Sequence, residues 1–221
     1  MKKEGVSPLL FQTLIDIMSE PLFRCFRLVG GTNLALRYNH RISTDIDLFT
    51  DAEYGSLDFL VLEKWLRNKY PYFECTDKSD KVVMGRTYYI GDSKDNAIKL
   101  DLMYESEKFL FDEDTQDQVI YADVREIAVM KLDAIYYGGR KKDFWDLHFL
   151  IFDKGFDLDE LIFLHSQRFV YQHNRNELIE RLTDFTVADD EPDPQCKLGK
   201  DWDIIKLDII DAVENLRDES H

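Results

Sequence analysis

Hydrophobic and polar positions alternate along this chain in two distinct rhythms. Ser7-Pro8 offers an N-cap followed by proline at the first helical position, and the apolar residues behind it predict a helix over residues 8–19. Residues 24–29 predict a first strand, residues 32–38 a short helix and residues 44–50 a second strand. Residues 56–69 predict a helix carrying Leu57, Leu60, Val61, Trp65 and Leu66 near one face. Strands are expected at residues 72–76, 82–90 and 97–104, with turn chemistry at residues 77–80 and 91–96.

From Asp123 the rhythm becomes helical and stays so. Asp123 and Glu126 have the spacing of a capping box. Residues 142–152 and 158–169 carry apolar positions at helical spacing. Trp202, Ile205, Ile209, Val213 and Leu216 form a final amphipathic stripe. Between them, residues 186–200 hold Pro192, Pro194, Gly199 and several acids, and read as an exposed loop. The fold class expected is α+β: a mixed β-sheet with flanking helices over residues 1–120, then a helical region over 121–221 that completes the cleft.

Composition narrows this reading. The chain has 221 residues, 44% hydrophobic and 13% aromatic, enough to bury a sizeable core. Nothing reads as a signal peptide, and no stretch reaches the roughly 20 apolar residues of a membrane span. Cys25, Cys75 and Cys196 are few and far apart, which points to a reducing cytoplasm and away from a disulfide scaffold. The net charge of -16 counts against a broad nucleic-acid-binding face. A small basic mouth remains open to Arg37, His40 and Arg41, or to Arg140-Lys141-Lys142, each run reading equally well as solvated surface.

The chemistry concentrates in LVGGTNLALRYNHRISTDIDLFTD, residues 28–51. Gly30-Gly31 allows close backbone approach, and a helix starting near Thr32 offers free N–H groups and a dipole to a phosphate. Asp45 and Asp47 share one strand face while Ile46 and Leu48 take the other. Carboxylates so spaced suit a hard cation. Asp101 breaks an apolar strand in which Ile98, Leu100 and Leu102 share one face and Lys99, Asp101 and Met103 the other. Were that strand beside the Asp45/Asp47 strand, three carboxylates would converge, as a two-metal phosphoryl-transfer site requires. Alone, Asp101 reads better as a solvent-facing residue. Lys131, beside the apolar face of its helix, can reach phosphates as a point charge. Lys142 and Asp146 can equally form an ordinary helical ion pair. His165 reads as packed beside Leu161 and Phe169, and Tyr136, Tyr137, Phe144, Trp145 and Phe149 mostly as core.

These residues in this order resemble the AbiEii/AbiGii-type toxin family of the nucleotidyltransferase superfamily. The resemblance is carried by Gly30-Gly31-Thr32, by Arg41-Ile42-Ser43-Thr44-Asp45-Ile46-Asp47, by Asp101, by Glu126, Lys131 and Ala134, and by Lys142-Asp143-Phe144-Trp145-Asp146. It implies a nucleotidyltransferase-like sheet and transfer of a nucleoside monophosphate from a triphosphate to an acceptor hydroxyl. It implies magnesium, two ions, at Asp45, Asp47 and Asp101, with Asp101 helping to deprotonate the acceptor. Gly30, Gly31, Thr32, Arg41 and Ser43 would hold the nucleotide, Lys131 would lie near the triphosphate, and Asp143 and Asp146 belong to a later acidic motif. The tRNA 3′ end is an implied acceptor and a cognate antitoxin an implied partner. Two other classes stay open: a nucleotide-binding or partner-interaction module without transfer, which has no need of Asp101, and a transferase acting on a small molecule or a protein.

Overall fold

A computed structural model describes residues 2–76, 84–171 and 173–218. The chain divides into two compact units. The first comprises Met1–Asn39 and Ser43–Asp123, the second His40–Ile42 and Val124–His221.

The first unit is built on a seven-stranded mixed sheet. Helix α1 (Pro8–Met18) begins as the sequence dictates, with the Ser7 hydroxyl accepting from the Leu10 N–H at 3.1 Å. Strand β1 (Arg27–Leu28) is shorter than expected because Pro21–Phe23 forms a turn of 3₁₀ helix in front of it. Helix α2 (Gly30–Tyr38) and strand β2 (Asp45–Thr50) follow. Helix α3 (Phe59–Lys69) starts later than residue 56 because Asp58 caps it, accepting from Leu60 and Val61 N–H. Phe59, Leu62 and Leu66 are buried, and Leu57 and Trp65 pack partly buried against the core, while Leu60 and Val61 are exposed, which corrects the expected face at those two positions.

Strands β3 (Tyr72–Cys75), β4 (Gly85–Ser93), β5 (Asn96–Tyr104), β6 (Asp114–Gln116) and β7 (Val119–Tyr121) complete the sheet in the order β3-β4-β5-β2-β1-β7-β6. The turn expected at residues 77–80 and the start of the strand expected at 82 lie outside the described residues. Strands β2 and β5 are parallel neighbours, as are β1 and β7; the other pairs are antiparallel. The two-residue period sends Ile46, Leu48, Leu100 and Leu102 into a core with Leu10, Leu14, Phe26, Leu28 and Leu66.

The second unit is helical. It contains α4 (Val124–Tyr136), α5 (Lys141–His148) running into a π-helical turn at Phe149–Asp153, α6 (Leu158–Arg168), α7 (Arg175–Arg181), α8 (Thr186–Asp189) and α9 (Trp202–Asp218). Aromatic packing pins α5 to α9: Trp145 stacks on Trp202 at 6.2 Å with the planes 9° apart, and Phe144 lies 6.1 Å from Trp202. Glu126 is fully buried and pairs with Arg168 at 2.5 Å, linking α4 to α6. His165 packs against Phe169 as its spacing predicts.

The segment 186–200 is more than an exposed loop, which is a second correction. It opens with α8, and its distal part holds the chain at His40–Ile42. Arg41 pairs as an isolated antiparallel bridge with Cys196, Ile42 N–H donates to Gln195 C=O at 2.9 Å, and Lys197 N–H donates to His40 C=O at 2.9 Å. The three cysteines are free thiols. Among the described residues, no helix is long and apolar enough to cross a membrane.

Candidate nucleotidyl-transfer site

The glycine turn and the paired aspartates meet in the first unit. Gly30 opens α2 with φ of 67°, a left-handed conformation that side chains rarely tolerate. A Cβ there would lie 2.3 Å from Asp47 Oδ2. Gly30 therefore serves twice: it turns the chain into the helix, and it leaves room for the Asp47 carboxylate against the helix start. That end of the helix carries the positive pole of its dipole and N–H groups without intrahelical acceptors.

Thr32 is wholly buried, and its hydroxyl faces inward. It donates to the Asp45 C=O and lies 2.9 Å from the Ser43 hydroxyl. The structure thus ties the first turn of α2 to the strand that carries Asp45 and Asp47. The Thr32 and Ser43 hydroxyls, expected to touch a nucleotide, are instead engaged with each other and with the strand. Asn33 adds a second tie, donating to Leu28 C=O at 2.8 Å and Ala122 C=O at 3.0 Å.

The third acid stands where the strand order allows it. The parallel β2–β5 ladder makes Asp47 and Asp101 register partners, and Asp45 and Lys99 likewise. Asp101 is nearly buried and has both carboxylate oxygens engaged: Thr87 Oγ1 donates to Oδ1 at 2.6 Å, and Lys99 Nζ donates to Oδ2 at 2.5 Å. Burial pushes the Lys99 ammonium down, but the hydrogen bond to Asp101 and the charges of Asp101, Asp47 and Asp45 outweigh it and raise its pKa. All three acids therefore act on one lysine.

The donor set is chemically right for magnesium, since a hard cation takes carboxylate oxygens. The backbone gathers the three acids, yet their side chains are not drawn into a ready cage. Among the described residues, no three His, Cys, Asp or Glu side chains stand together as a metal-binding group. At Asp101 both oxygens are engaged, by Thr87 and by Lys99. Lys99 and Thr87 were not singled out as site residues from the sequence. Lys99 was readable in principle, lying two residues before Asp101 on the same face of its strand.

The remaining expected residues form a cluster within the second unit. Asp146 on α5 is fully buried. Arg41 grips it with Nε at 2.6 Å from Oδ1 and Nη2 at 2.7 Å from Oδ2, His40 Nε2 lies 2.7 Å from Oδ1, and Lys131 Nζ lies 2.9 Å from Oδ2. Lys131 also donates to Asp143 Oδ1 at 2.7 Å. Burial alone would raise the Asp146 carboxyl, but Arg41, Lys131 and the hydrogen bonds from Arg41 and His40 hold it well below the usual carboxylate range. Asp143 is likewise lowered against burial, by Lys131 and Arg140. Burial disfavours the Lys131 ammonium, and the two aspartates more than restore it.

Arg41, Lys131, Asp143 and Asp146 thus balance one another's charge, with His40 adding a further contact to Asp146. The basic mouth is paired internally too. Arg37 bonds Asn33 at 3.1 Å and Asp114 at 3.3 Å, Lys141 bonds Asp193 at 2.9 Å, and Arg140 Nε lies 3.4 Å from Asp143. Of the aromatics, Phe144, Trp145 and Phe149 are buried and Tyr137 is exposed.

Comparison with known proteins gives the family and the likeness of fold. An uncharacterised protein of Aquifex aeolicus (strain VF5) is 33% identical over 161 residues, covering 68% of this chain and 69% of that one. The crystal structure of JHP933 from Helicobacter pylori superposes with a TM-score of 0.59 at 20% identity, over 96% of this chain and 92% of that one. A second H. pylori structure, described as a "putative nucleotidyltransferase", gives a TM-score of 0.57 at 19% identity, over 99% and 97% of the two chains. At these identities the two structures establish the likeness of fold. The profile of the family described as "Nucleotidyl transferase AbiEii toxin, Type IV TA system" matches residues 12–218, nearly the whole length. The chain belongs to the AbiEii family of nucleotidyl transferase toxins.

Proposed function

We propose that this protein transfers a nucleoside monophosphate from a ribonucleoside triphosphate to an acceptor hydroxyl in a magnesium-dependent reaction. The observation that supports the reading most is the Asp47 carboxylate lodged against Gly30 at the start of α2, in register with Asp101 on the adjacent strand. In this reading the backbone N–H groups at Gly30-Gly31 hold phosphate oxygens at the helix start. Thr32, through its bond to the Asp45 backbone, keeps that turn and β2 in step. Asp45 and Asp47 would hold magnesium, which when bound neutralises triphosphate charge and supports in-line displacement. Asp101 would be a third ligand and would help the attacking hydroxyl lose its proton to solvent water. The acceptor oxygen bonds to the α-phosphorus as the bond to pyrophosphate breaks.

The tRNA 3′ end is the acceptor to try first, as the family resemblance implies. A cognate antitoxin is the partner to seek, because the family is that of a toxin–antitoxin system. The test is incorporation of α-labelled ATP, GTP, CTP or UTP into total tRNA, with magnesium, by wild type and Asp47→Ala. Label entering tRNA from one preferred nucleotide, and absent with the folded variant, is the expected result. Equal incorporation by folded Asp47→Ala would overturn the mechanism. A second reading, nucleotide or partner binding without transfer, draws support from the full engagement of the Asp101 oxygens. It predicts triphosphate binding with no label transferred to any acceptor.

A further inference from the structure

We propose that Lys99 is a resident cation of the carboxylate face and competes with the catalytic metal for Asp101. This rests on the transferase reading above and adds a residue that governs metal entry.

Asp45, Asp47 and Asp101 project from paired strands, with Asp47 and Asp101 directly in register. Three like charges on one sheet face repel unless a cation lies among them. Lys99 is the register partner of Asp45, and its ammonium sits 2.5 Å from Asp101 Oδ2. Thr87 holds the other Asp101 oxygen at 2.6 Å, so a metal approaching Oδ2 competes there with the Lys99 ammonium. The arrangement permits that displacement. The Lys99 side chain is 34% exposed against 13% for Asp101, so the lysine has solvent to move into while the acid stays in place. A lysine is a point charge on a flexible stem, unlike the rigid fork of an arginine. Thr87, register partner of Asp101 on β4, orients the carboxylate through the exchange.

The test is Mn2+ binding to the apo-protein, followed by the loss of the free-ion electron paramagnetic resonance signal and by titration calorimetry. Lys99→Met, which keeps the stem and removes the charge, should bind Mn2+ about tenfold tighter than wild type, equivalent to about 1.4 kcal/mol. Lys99→Gln repeats the measurement with a polar side chain, and thermal melts confirm that each variant is folded. The decisive comparison is the Asp101→Asn background, where the gain from Lys99→Met should vanish because there is no carboxylate left to contest. An equal gain in both backgrounds would reduce Lys99 to a general electrostatic effect and overturn the proposal. Binding that depends on Asp47 but is indifferent to residue 99 would overturn it while leaving the transferase reading intact. Mn2+ binding unaffected by Asp47→Ala would instead overturn that reading and the proposal with it.

Discussion

Replacing Asp146 by asparagine removes one charge from the centre of a buried ion cluster and almost nothing from its volume. The carboxylate is fully buried and engages Arg41 through two bonds of 2.6 and 2.7 Å, His40 at 2.7 Å and Lys131 at 2.9 Å. Breaking a buried ion pair from one side costs about 3–5 kcal/mol, because the surviving charge loses its compensation in a poorly polarisable interior. Lys131 keeps Asp143, and asparagine can still accept a hydrogen bond, so the lower end of that range is expected. For a chain of this size a loss of about 3 kcal/mol corresponds to a fall in melting temperature of roughly 6–12 °C. Urea unfolding followed by tryptophan fluorescence suits the measurement, since Trp145 and Trp202 both lie in the second unit and stack on each other. Adding Arg41→Met should recover part of the loss, because the second change removes a charge that the first left poorly compensated. A cost for Asp146→Asn below about 1 kcal/mol, the level of a surface pair, would refute the cluster's structural role.

Two further predictions follow from other parts of the molecule. Gly30→Ala should cost roughly 1–2 kcal/mol of stability for the left-handed backbone and reduce transfer far more steeply, because its Cβ collides with the Asp47 carboxylate; melts and pyrophosphate release measured side by side separate the two effects, and a folded variant with normal activity would show the close approach to be dispensable. The lowered pKa values of Asp143 and Asp146 mean that their stabilisation is present above the unfolded carboxylate value of about 4 and is lost as pH falls through their folded values; melts from pH 7 to 3 should fall steeply for wild type at the acid end and less steeply for Asp146→Asn.

What the sequence revealed, and what it hid, divides by the range of the interactions involved. The cap at Ser7, the alternation in β2 and β5 and helices α4, α5, α6 and α9 depend on neighbours within a few positions, and the pattern discloses them; α7 and α8 it does not. The β6–β7 hairpin was not anticipated. Its turn residues Asp117 and Gln118 take φ of 49° and 71° without the glycine that usually signals such a turn. The face of α3 was misjudged at Leu60 and Val61, which are apolar yet exposed, while Phe59 and Leu62 take the buried side. At the site, the glycine turn and the three acids were legible as residue types. Their surroundings were not: the bond between Thr32 and the Asp45 backbone and the engagement of Asp101 by Thr87 depend on pairings across the sheet. The grip of Arg41 on Asp146 joins residues 105 apart, and the partner of the His40–Ile42 segment lies in a stretch that composition marks only as loop. Charge pattern suggested a basic mouth, but it cannot tell a cation facing solvent from one already neutralised inside the fold.

The measurement that bears most directly on the central claim is magnesium-dependent release of pyrophosphate from each of the four ribonucleoside triphosphates, with and without total tRNA, by wild type and Asp47→Ala. The account predicts release that requires an acceptor, prefers one base and disappears in the folded variant. Triphosphate binding by the wild type with no pyrophosphate released, whatever the acceptor offered, would contradict it and turn attention to a binding role.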